Sequence, residues 1–332
     1  MFIIQSYGTA ILFCIITMLC WGSWANTTKL SSKGWRFELF YWDYAFGILL
    51  LSLLMAFTLG SSGDEGRPFL EDLQQADNGN LFSAFIGGAV FNLANILLVS
   101  AIALAGMSVA FPVGIGIALI LGVVVNYADN PQGSAPLLFG GVALIALAIL
   151  LNAAAYKQVN KGNDSFSAKG LVLAIVAGVL MGFFYKYVAA SMAADFVAPE
   201  RGKLTPYTAL VFFAIGVVVS NFLFNGLQMR FPFAGSRLSI RDYFRGSAKD
   251  HFIGILGGVI WHVGMSFNII ASGKAGPAIS YGLGQGATVI AAVWGIFIWK
   301  EFASASKTTY RNLYLMLLLY VVGIVLIILA KN

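Results

Sequence analysis

Four polar side chains stand inside long apolar stretches of the chain and could contact a small solute. Asn92 and Asn95 are three residues apart, so they share one face of a helix. His262 and Gln285 lie in two later apolar stretches. Amide and imidazole groups offer donors and acceptors, which suits a neutral solute rich in carbonyl, amide or hydroxyl groups. The alternative is hydrogen bonding between helices, worth about 0.6 kcal/mol per bond on average.

Three titratable side chains could couple a proton to that solute, because proton symport needs such a group in the pathway. An imidazole such as that of His262 changes charge in a suitable pH range. Lys186 stands well inside an apolar stretch and could orient substrate or relay a proton, but its ammonium could equally extend to the membrane surface. Asp43 lies near the end of its stretch. Because no Asp or Glu lies deep in a stretch, transport without proton coupling stays open.

Aromatic and further amide side chains complete the set of candidates. Phe91, Trp261 and Tyr281 lie at mid-depth and could stack on a planar ring or a sugar face, with simple packing as the alternative. Asn221 and Asn225 share one face of another helix, and either solute contact or hydrogen bonding between helices is open for them.

These candidates belong to a chain whose composition requires lipid around it. Hydrophobic residues make up 59% of the 332 residues and charged residues only 10%, whereas a soluble domain carries roughly a quarter charged residues. The net charge of +6 comes from Lys and Arg placed between apolar stretches, so nothing forms a basic domain for nucleic acid. We therefore expect a multi-pass protein of the plasma or inner membrane, and both a monomer and a homodimer stay open.

Enzymatic and metal chemistry are poorly supplied. The sequence lacks His-Glu-x-x-His and Gly-x-Ser-x-Gly, and its two histidines are His251 and His262. The two cysteines, Cys14 and Cys20, are six apart on one predicted helix, so they can neither pair nor hold a metal together. We therefore expect neither an enzyme nor a bound metal or cofactor.

Ten segments are long and apolar enough to span a membrane, which takes about 20 mostly apolar residues. Helix is expected throughout, because backbone groups in lipid must bond within their own segment. The predicted spans are Tyr7–Asn26, Trp42–Gly60, Leu81–Leu104, Met107–Tyr127, Pro136–Ala155, Gly170–Ala193, Tyr207–Gln228, Phe252–Ser272, Pro277–Ile298 and Tyr310–Ala330.

The basic residues predict the orientation, because loops rich in Lys and Arg stay in the cytoplasm. Fourteen of them follow spans one, five, seven and nine, against five on the other side. The fourteen are Lys29, Lys33, Arg36, Lys157, Lys161, Lys169, Arg230, Arg237, Arg241, Arg245, Lys249, Lys300, Lys307 and Arg311. Their side should be cytoplasmic, and both chain ends should face outward.

A repeat at an offset of 170 residues divides the chain into two halves, 1–160 and 161–332. Residues 87–92, Gly-Gly-Ala-Val-Phe-Asn, match residues 257–262, Gly-Gly-Val-Ile-Trp-His. The register continues through Ala105-Gly106 and Ala275-Gly276, turns in which Gly tolerates positive φ. Because each half contains five spans, the second half must enter from the opposite face. Such inverted repeats are typical of secondary transporters, with the substrate near the midplane.

The ten-span architecture resembles the drug/metabolite transporter (EamA-like) superfamily, which has two inverted halves of five helices. Within it, Tyr41-Trp42-Asp43-Tyr44, Phe57-Thr58-x-Gly60 and Gly122-x-x-x-Asn126-Tyr127 resemble segments of the plant ureide permeases. Residues 35–38, Trp-Arg-Phe-Glu, are similar to a segment of the bacterial glucose/rhamnose porters.

These observations predict an all-α membrane protein of ten helices in two inverted five-helix repeats. The resemblance implies a secondary transporter that takes up a ureide, a nucleobase-like compound or a sugar by alternating access, together with protons. Export of metabolites or drugs and facilitated uniport are the alternatives. A drug exporter should have a large apolar cavity, whereas a polar nutrient needs a compact cavity lined by Asn, His and Gln.

Overall fold

The computed structural model describes residues 1–159, 167–303 and 305–331. Within these ranges, ten helices are long and apolar enough to cross a membrane. In chain order, TM1 to TM10 are Tyr7–Leu30, Phe37–Phe57, Asn78–Ala105, Val109–Asp129, Ala135–Val159, Ala168–Ser191, Pro206–Arg230, Ala248–Ala275, Pro277–Ile298 and Lys307–Leu329. The predicted ten spans are therefore confirmed. Lys161 and the predicted boundary between the halves, at 160 and 161, lie outside the described residues.

Several helix boundaries differ from the hydropathy pattern because local chemistry sets them. TM1 continues as a 3₁₀ helix from Trp24 to Leu30. TM2 begins at Phe37, five residues before the predicted start, and so includes the charged Glu38. At the start of TM8, Ser247 and Asp250 form a capping box, in which each side chain bonds the other residue's backbone N–H.

Two single-glycine turns join TM3 to TM4 and TM8 to TM9. Gly106 has φ of 75° and Gly276 has φ of 84°, the left-handed region expected for these positions. The second turn is shorter than predicted, because TM8 continues to Ala275 and leaves Gly276 alone between the helices. The two hairpins are therefore built alike, 170 residues apart.

TM9 is discontinuous, whereas the sequence predicted an unbroken helix. Its first part, Pro277–Gly284, ends at a turn formed by Gln285 and Gly286. A second part, Ala287–Val293, leads into a π-helical turn at Trp294–Ile298. Hydropathy alone did not reveal this break, because the residues on both sides of it are apolar.

The helix contacts occur in pairs that exchange the two halves. TM2 packs on TM8 as TM7 packs on TM3, and TM3 packs on TM6 as TM8 packs on TM1. TM5 packs on its counterpart TM10, and TM2 on its counterpart TM7. Tyr7 Oη at the start of TM1 donates to the Ile328 carbonyl at the end of TM10 (2.6 Å). The start of TM1 and the end of TM10 therefore lie at the same face of the bundle. These pairings support the predicted repeat, and the inverted orientation of its halves stays a prediction.

Glycines set the two closest helix crossings. A Cβ at Gly88 would overlap the Phe213 carbonyl oxygen of TM7, and one at Gly258 would overlap the Tyr44 carbonyl oxygen of TM2. The two glycines are exact repeat partners by sequence offset, and their contact residues differ by 169. Each crossing brings two helix backbones together as small residues allow in membranes.

Candidate functional site

The interface of TM2, TM3 and TM7 contains a line of polar side chains, most of which form hydrogen bonds. Asn92 Nδ2 of TM3 donates to Ser220 Oγ of TM7 (2.8 Å). Asn95 Nδ2 donates to Tyr41 Oη of TM2 (3.1 Å). We call the whole line the polar seam, and it comprises Tyr41, Asn92, Asn95, Ser100, Ser220, Asn221, Asn225 and Gln228. It continues the predicted face of Asn92 and Asn95 onto two further helices.

The seam extends toward the face of the bundle where TM1, TM7 and TM9 end and TM2 and TM8 begin. We call it the basic face, after the described Lys and Arg residues in these connections. Asn225 Nδ2 of TM7 donates to the Glu38 carbonyl of TM2 (2.9 Å). Gln228 Nε2 donates to Ser100 Oγ of TM3 (3.1 Å). Asn92 and Ser100 are eight residues apart, so the seam is about 12 Å long.

A cavity of about 410 Å³ lies at the basic-face end of the seam. It is walled by the TM2 start, TM3, TM7 and the TM7–TM8 loop (residues 231–247). Its lining residues are Arg36, Phe37, Glu38, Ile96, Val99, Ser100, Ala103, Asn225, Gln228, Ala234, Gly235 and Ser236. Arg36 pairs with the Glu38 carboxylate and donates to the carbonyls of Ala234 and Ser236, so the loop is tied to TM2. Two amides, two serine hydroxyls and one ion pair therefore belong to the lining of the cavity.

Several atoms of the seam have no hydrogen-bond partner within the described ranges. They are Asn92 Oδ1, Asn225 Oδ1 and both side-chain atoms of Asn221. All three residues are buried. Leaving a buried amide atom without a hydrogen bond costs about 1–3 kcal/mol of folding free energy. A ligand that supplied the missing hydrogen bond would recover part of that cost. A solute with both N–H and C=O groups, or with hydroxyls, could satisfy them once the seam opens.

His262 occupies the corresponding position in TM8 and is fully buried. Both of its ring nitrogens lack a partner in the described part of the chain. It follows Gly258 by one turn, on the side of TM8 that packs on Tyr44. Asn92 instead bonds to TM7, and no described hydrogen bond joins it to His262. The two repeat partners thus extend toward different helices, and neither lines the 410 Å³ cavity.

An aromatic cluster lies where TM3 of the first half meets TM8 of the second half. Phe91 and Trp261, which are repeat partners, stack on each other with centroids 4.2 Å apart. Phe213 stacks on Trp261 at 6.0 Å, and Phe184 lies 5.3 Å from Phe91. In this conformation the ring faces predicted to hold a solute are covered by other aromatic rings.

Tyr281 borders that cluster, with its ring edge-on to Phe184 and the two ring centroids 6.3 Å apart. Its hydroxyl lies within hydrogen-bond distance of the carbonyl oxygens of Ala118 (3.0 Å) and Met181 (3.1 Å). The side chain is fully buried between TM4, TM6 and TM9. These contacts fit the packing alternative, because the polar end of the ring is already engaged.

Gln285 and Lys186 also lie apart from the seam. Gln285 lies at the break of TM9, where its backbone carbonyl accepts a hydrogen bond from Thr288 Oγ1 (3.0 Å). Lys186 Nζ forms an ion pair with Asp129 at 2.9 Å, and the two side chains are 37% and 44% exposed. Of the two alternatives for Lys186, these contacts fit the one in which its long side chain extends out of the bundle, here to a carboxylate at the end of TM4. Their roles in substrate binding stay predictions.

Asp43 is more enclosed than its place near a helix end suggested. The carboxylate is buried, and it accepts from Tyr243 Oη (2.6 Å) and contacts His251 Nδ1 (2.9 Å). Burial and the adjacent Asp43 carboxylate raise the pKa of Tyr243, in the TM7–TM8 loop, above its usual range. Tyr243 therefore stays protonated and donates to Asp43.

At the face opposite the basic face, a buried carboxylate joins two loops. Asp72, in the short helix Phe69–Gln75, accepts from the backbone N–H (2.8 Å) and Oγ1 (3.0 Å) of Thr205, just before TM7. Arg67 approaches the same carboxylate at 3.5 Å. The TM2–TM3 loop is thereby fastened to the TM6–TM7 loop.

Comparison with known proteins decides the family. The sequence profile described as ureide permease matches residues 40–169 and 157–330. The chain belongs to the ureide permease family. It is accordingly a multi-pass membrane transporter and not an enzyme.

Full-length relatives agree with that membership. Ureide permease 1 of Arabidopsis thaliana is 23% identical, covering 100% of this chain and 99% of the relative. The glucose uptake protein GlcU of Bacillus subtilis is 28% identical over 74% of this chain and 75% of that protein. The L-rhamnose-proton symporter of Pectobacterium atrosepticum is 27% identical over 77% of this chain and 78% of that protein. The resemblance to ureide permeases and to bacterial sugar porters is therefore confirmed.

A solved crystal structure shares the fold. It superposes with a TM-score of 0.61 at 15% identity, covering 97% of this chain and 98% of the other. At that identity the likeness concerns the fold alone. Together with the ten helices, it confirms the predicted class of all-helical membrane protein.

Proposed function

We propose that this family member takes up a small neutral polar metabolite, a ureide, a nucleobase-like compound or a sugar, by alternating access coupled to protons. The observation that carries the proposal is the polar seam, which leads from a cavity at the basic face to buried, unpaired amides. The names of the relatives, which include ureide permease, glucose uptake protein and L-rhamnose-proton symporter, support the same solute class and direction.

Size and charge of the cavity favour a neutral solute. Its volume of about 410 Å³ falls in the range of about 300–1,000 Å³ that small-molecule sites occupy. The charge of the Arg36 guanidinium is already balanced by Glu38, and its N–H groups also donate to two loop carbonyls. The remaining polar lining comes from Ser100, Asn225, Gln228 and Ser236, whose side chains bind hydroxyl, amide or carbonyl groups. A cavity of this kind is compact and suits a polar nutrient better than a bulky apolar drug.

The paired architecture supports transport by alternating access. The seam between TM2, TM3 and TM7 has a counterpart between TM7, TM8 and TM2, where His262 takes the place of Asn92. In this conformation the seam meets a cavity at the basic face, while the Asp72 contacts fasten the opposite face. Rocking of residues 1–160 against 161–332 would open the second interface as the first one closes.

The direct test is uptake by purified protein in proteoliposomes. We expect inward movement of at least one of labelled allantoin, uracil, glucose and L-rhamnose, and stronger accumulation with an inward proton gradient than without one. Liposomes without protein supply the background. Absence of uptake for all four solutes, together with export of a lipophilic dye, would reject nutrient uptake in favour of drug export.

The seam and its counterpart are tested by substitution. Asn92→Ala and His262→Ala should each lower uptake efficiency by about tenfold, since one lost hydrogen bond of about 1.4 kcal/mol corresponds to that factor. Asn152→Ala serves as the control, because Asn152 is a buried amide in TM5, which packs on TM10. Normal uptake by both test variants would remove Asn92 and His262 from the site.

A further inference from the structure

One carboxylate cluster connects three elements behind the wall of the cavity. Asp43 comes from TM2, His251 from the first turn of TM8, and Tyr243 from the short helix Ile240–Phe244 of the TM7–TM8 loop. Asp43 Oδ1 accepts from Tyr243 Oη (2.6 Å), and Oδ2 lies 2.9 Å from His251 Nδ1. The same loop supplies Ala234, Gly235 and Ser236 to the cavity wall. The cluster therefore fastens a wall of the cavity to TM2 and TM8.

The other charged groups around the cluster are engaged elsewhere. Asp250, next to His251, accepts from Ser32 N–H (2.7 Å), Ser32 Oγ (3.0 Å) and Ser247 Oγ (2.6 Å). Arg245 reaches Asp242 at 3.6 Å and is 78% exposed. Glu38, on the same helix as Asp43, is paired with Arg36. Within the described ranges, His251 is the single basic side chain at ion-pair distance from Asp43.

Apolar groups shield the pair on its remaining sides. The Trp35 ring stands edge-on to the His251 ring, with centroids 5.4 Å apart. The Tyr243 ring is edge-on to His251 as well, at 4.7 Å. On TM8, a Cβ at Gly254 would contact the Asp43 side chain, so TM8 approaches TM2 closely there. The Asp43 side chain is 4% exposed and that of His251 26%, so water reaches the imidazole but hardly the carboxylate.

A buried carboxylate against a partly exposed imidazole is suited to hold one exchangeable proton. The imidazole is the side chain whose charge changes between about pH 5 and 8. At 2.9 Å, the Asp43 carboxylate and the His251 ring nitrogen are close enough to hold one proton between them. The pair can therefore exist in a form with one proton more and a form with one proton fewer, each with different attraction between TM2 and TM8.

We propose that Asp43 and His251 form the binding site of the transported proton, and that Tyr243 conveys the state of this site to the TM7–TM8 loop. This inference rests on the proposed proton-coupled uptake and names the group that couples. With the additional proton on His251, the ion pair with Asp43 holds the loop against TM2 and TM8. Release of that proton toward the basic face removes the attraction, loosens the loop beside the cavity and allows the solute to leave.

The experiment separates exchange of solute from accumulation of solute. One-to-one symport under a gradient of one pH unit concentrates a neutral solute about tenfold, because a factor of ten corresponds to about 1.4 kcal/mol. Asp43→Asn and His251→Gln should keep counterflow exchange at equal pH but lose accumulation, so that the solute only equilibrates. An entrapped pH-sensitive dye should record proton entry with the solute for the unmodified protein and none for either variant.

Two further variants control for folding and for loss of charge. Glu301→Gln removes a half-exposed carboxylate that pairs with Lys29 away from the cluster, and it should accumulate solute like the unmodified protein. Tyr243→Phe keeps the proton site but loses the bond to the loop, so it should remain coupled with a changed transport rate. If Asp43→Asn does not fold, the inference is tested with Tyr243→Phe and His251→Gln instead.

The outcomes distinguish the inference from the function on which it rests. Tenfold accumulation by folded Asp43→Asn and His251→Gln would overturn the proton site and leave proton-coupled uptake standing. Exchange without accumulation by the unmodified protein would overturn the proton site and show uncoupled transport. Movement of none of the four solutes by the unmodified protein would reject both proposals.

Discussion

At the scale of single residues, the informative feature is a set of buried polar groups that cost stability. Asn221 leaves both its amide atoms unpaired, and His262 leaves both ring nitrogens unpaired, among the described residues. Packing or cross-helix bonding alone would not select such groups, because an apolar side chain of similar size would be more stable there. We therefore propose that Asn221 in the seam and His262 in its counterpart serve solute binding.

Asn221→Leu should accordingly raise thermal stability and lower transport. Removing an unpaired buried amide relieves about 1–3 kcal/mol, and the same change removes a donor and an acceptor from the seam. Thermal unfolding in detergent and uptake of the transported solute measure the two effects. Asn152→Leu in TM5 is the matched control, since Asn152 Oδ1 is also unpaired but lies outside the seam. It should stabilise the protein without loss of uptake, and reduced stability with normal uptake for Asn221→Leu would contradict the assignment.

Lys186, Gln285 and Tyr281 were selected because polar or aromatic groups in lipid usually face the interior. In the structure Lys186 pairs with Asp129, and the Tyr281 hydroxyl lies against two backbone carbonyls. Gln285 accepts from Thr288 only through its backbone carbonyl, and the roles of all three side chains in substrate binding stay predictions. The cavity residues Glu38, Ser100 and Gln228 escaped notice, although Ser100 lies eight residues after Asn92 on the same helix face.

At the scale of elements, the glycine crossings fix the position of the seam and of its counterpart. Gly88 joins TM3 to TM7 one turn before Asn92, and Gly258 joins TM8 to TM2 one turn before His262. Each close contact holds a polar group at a defined depth in the helix pair. The repeat in sequence therefore corresponds to a repeat in structure, a close crossing followed one turn later by a polar side chain.

Gly88→Ala and Gly258→Ala should both destabilise the bundle. The added Cβ overlaps a backbone carbonyl oxygen that cannot rotate away, and overpacking of this kind costs about 1–3 kcal/mol. Gly116→Ala provides the control, because no atom lies within 4 Å of the position of its Cβ. Thermal unfolding of the three purified variants measures the difference. Equal stability of Gly258→Ala and Gly116→Ala would show that the crossing is not close-packed.

At the scale of the whole molecule, the two faces of the bundle differ in charge and in closure. The cavity and the cluster of Asp43 lie at the basic face. At the opposite face, Asp72 joins two loops, and the start of TM1 meets the end of TM10. The excess of Lys and Arg on the first face predicts that it is cytoplasmic. Uptake would then end at the cavity seen here.

This orientation is tested by labelling single cysteines. In a background carrying Cys14→Ser and Cys20→Ser, an impermeant maleimide should react with Ser62→Cys in intact cells. It should react with Ser236→Cys only after permeabilisation, since that exposed residue belongs to the basic-face loop. Labelling of Ser236→Cys in intact cells would reverse the orientation and make the proposed uptake an export.

The sequence by itself determined the ten spans, the glycine turns at Gly106 and Gly276, and the pairing of positions 170 apart. These follow from local hydropathy, from the conformational freedom of glycine and from repetition, all of which are readable along the chain. Only the tertiary structure decided which polar groups meet. Asp43 and His251 are 208 residues apart, and Asn92 and Ser220 are 128 apart, so their contact depends on how ten helices pack. The break in TM9 and the exposed ion pair of Lys186 depend on neighbouring helices as well, which no window of apolar residues can reveal.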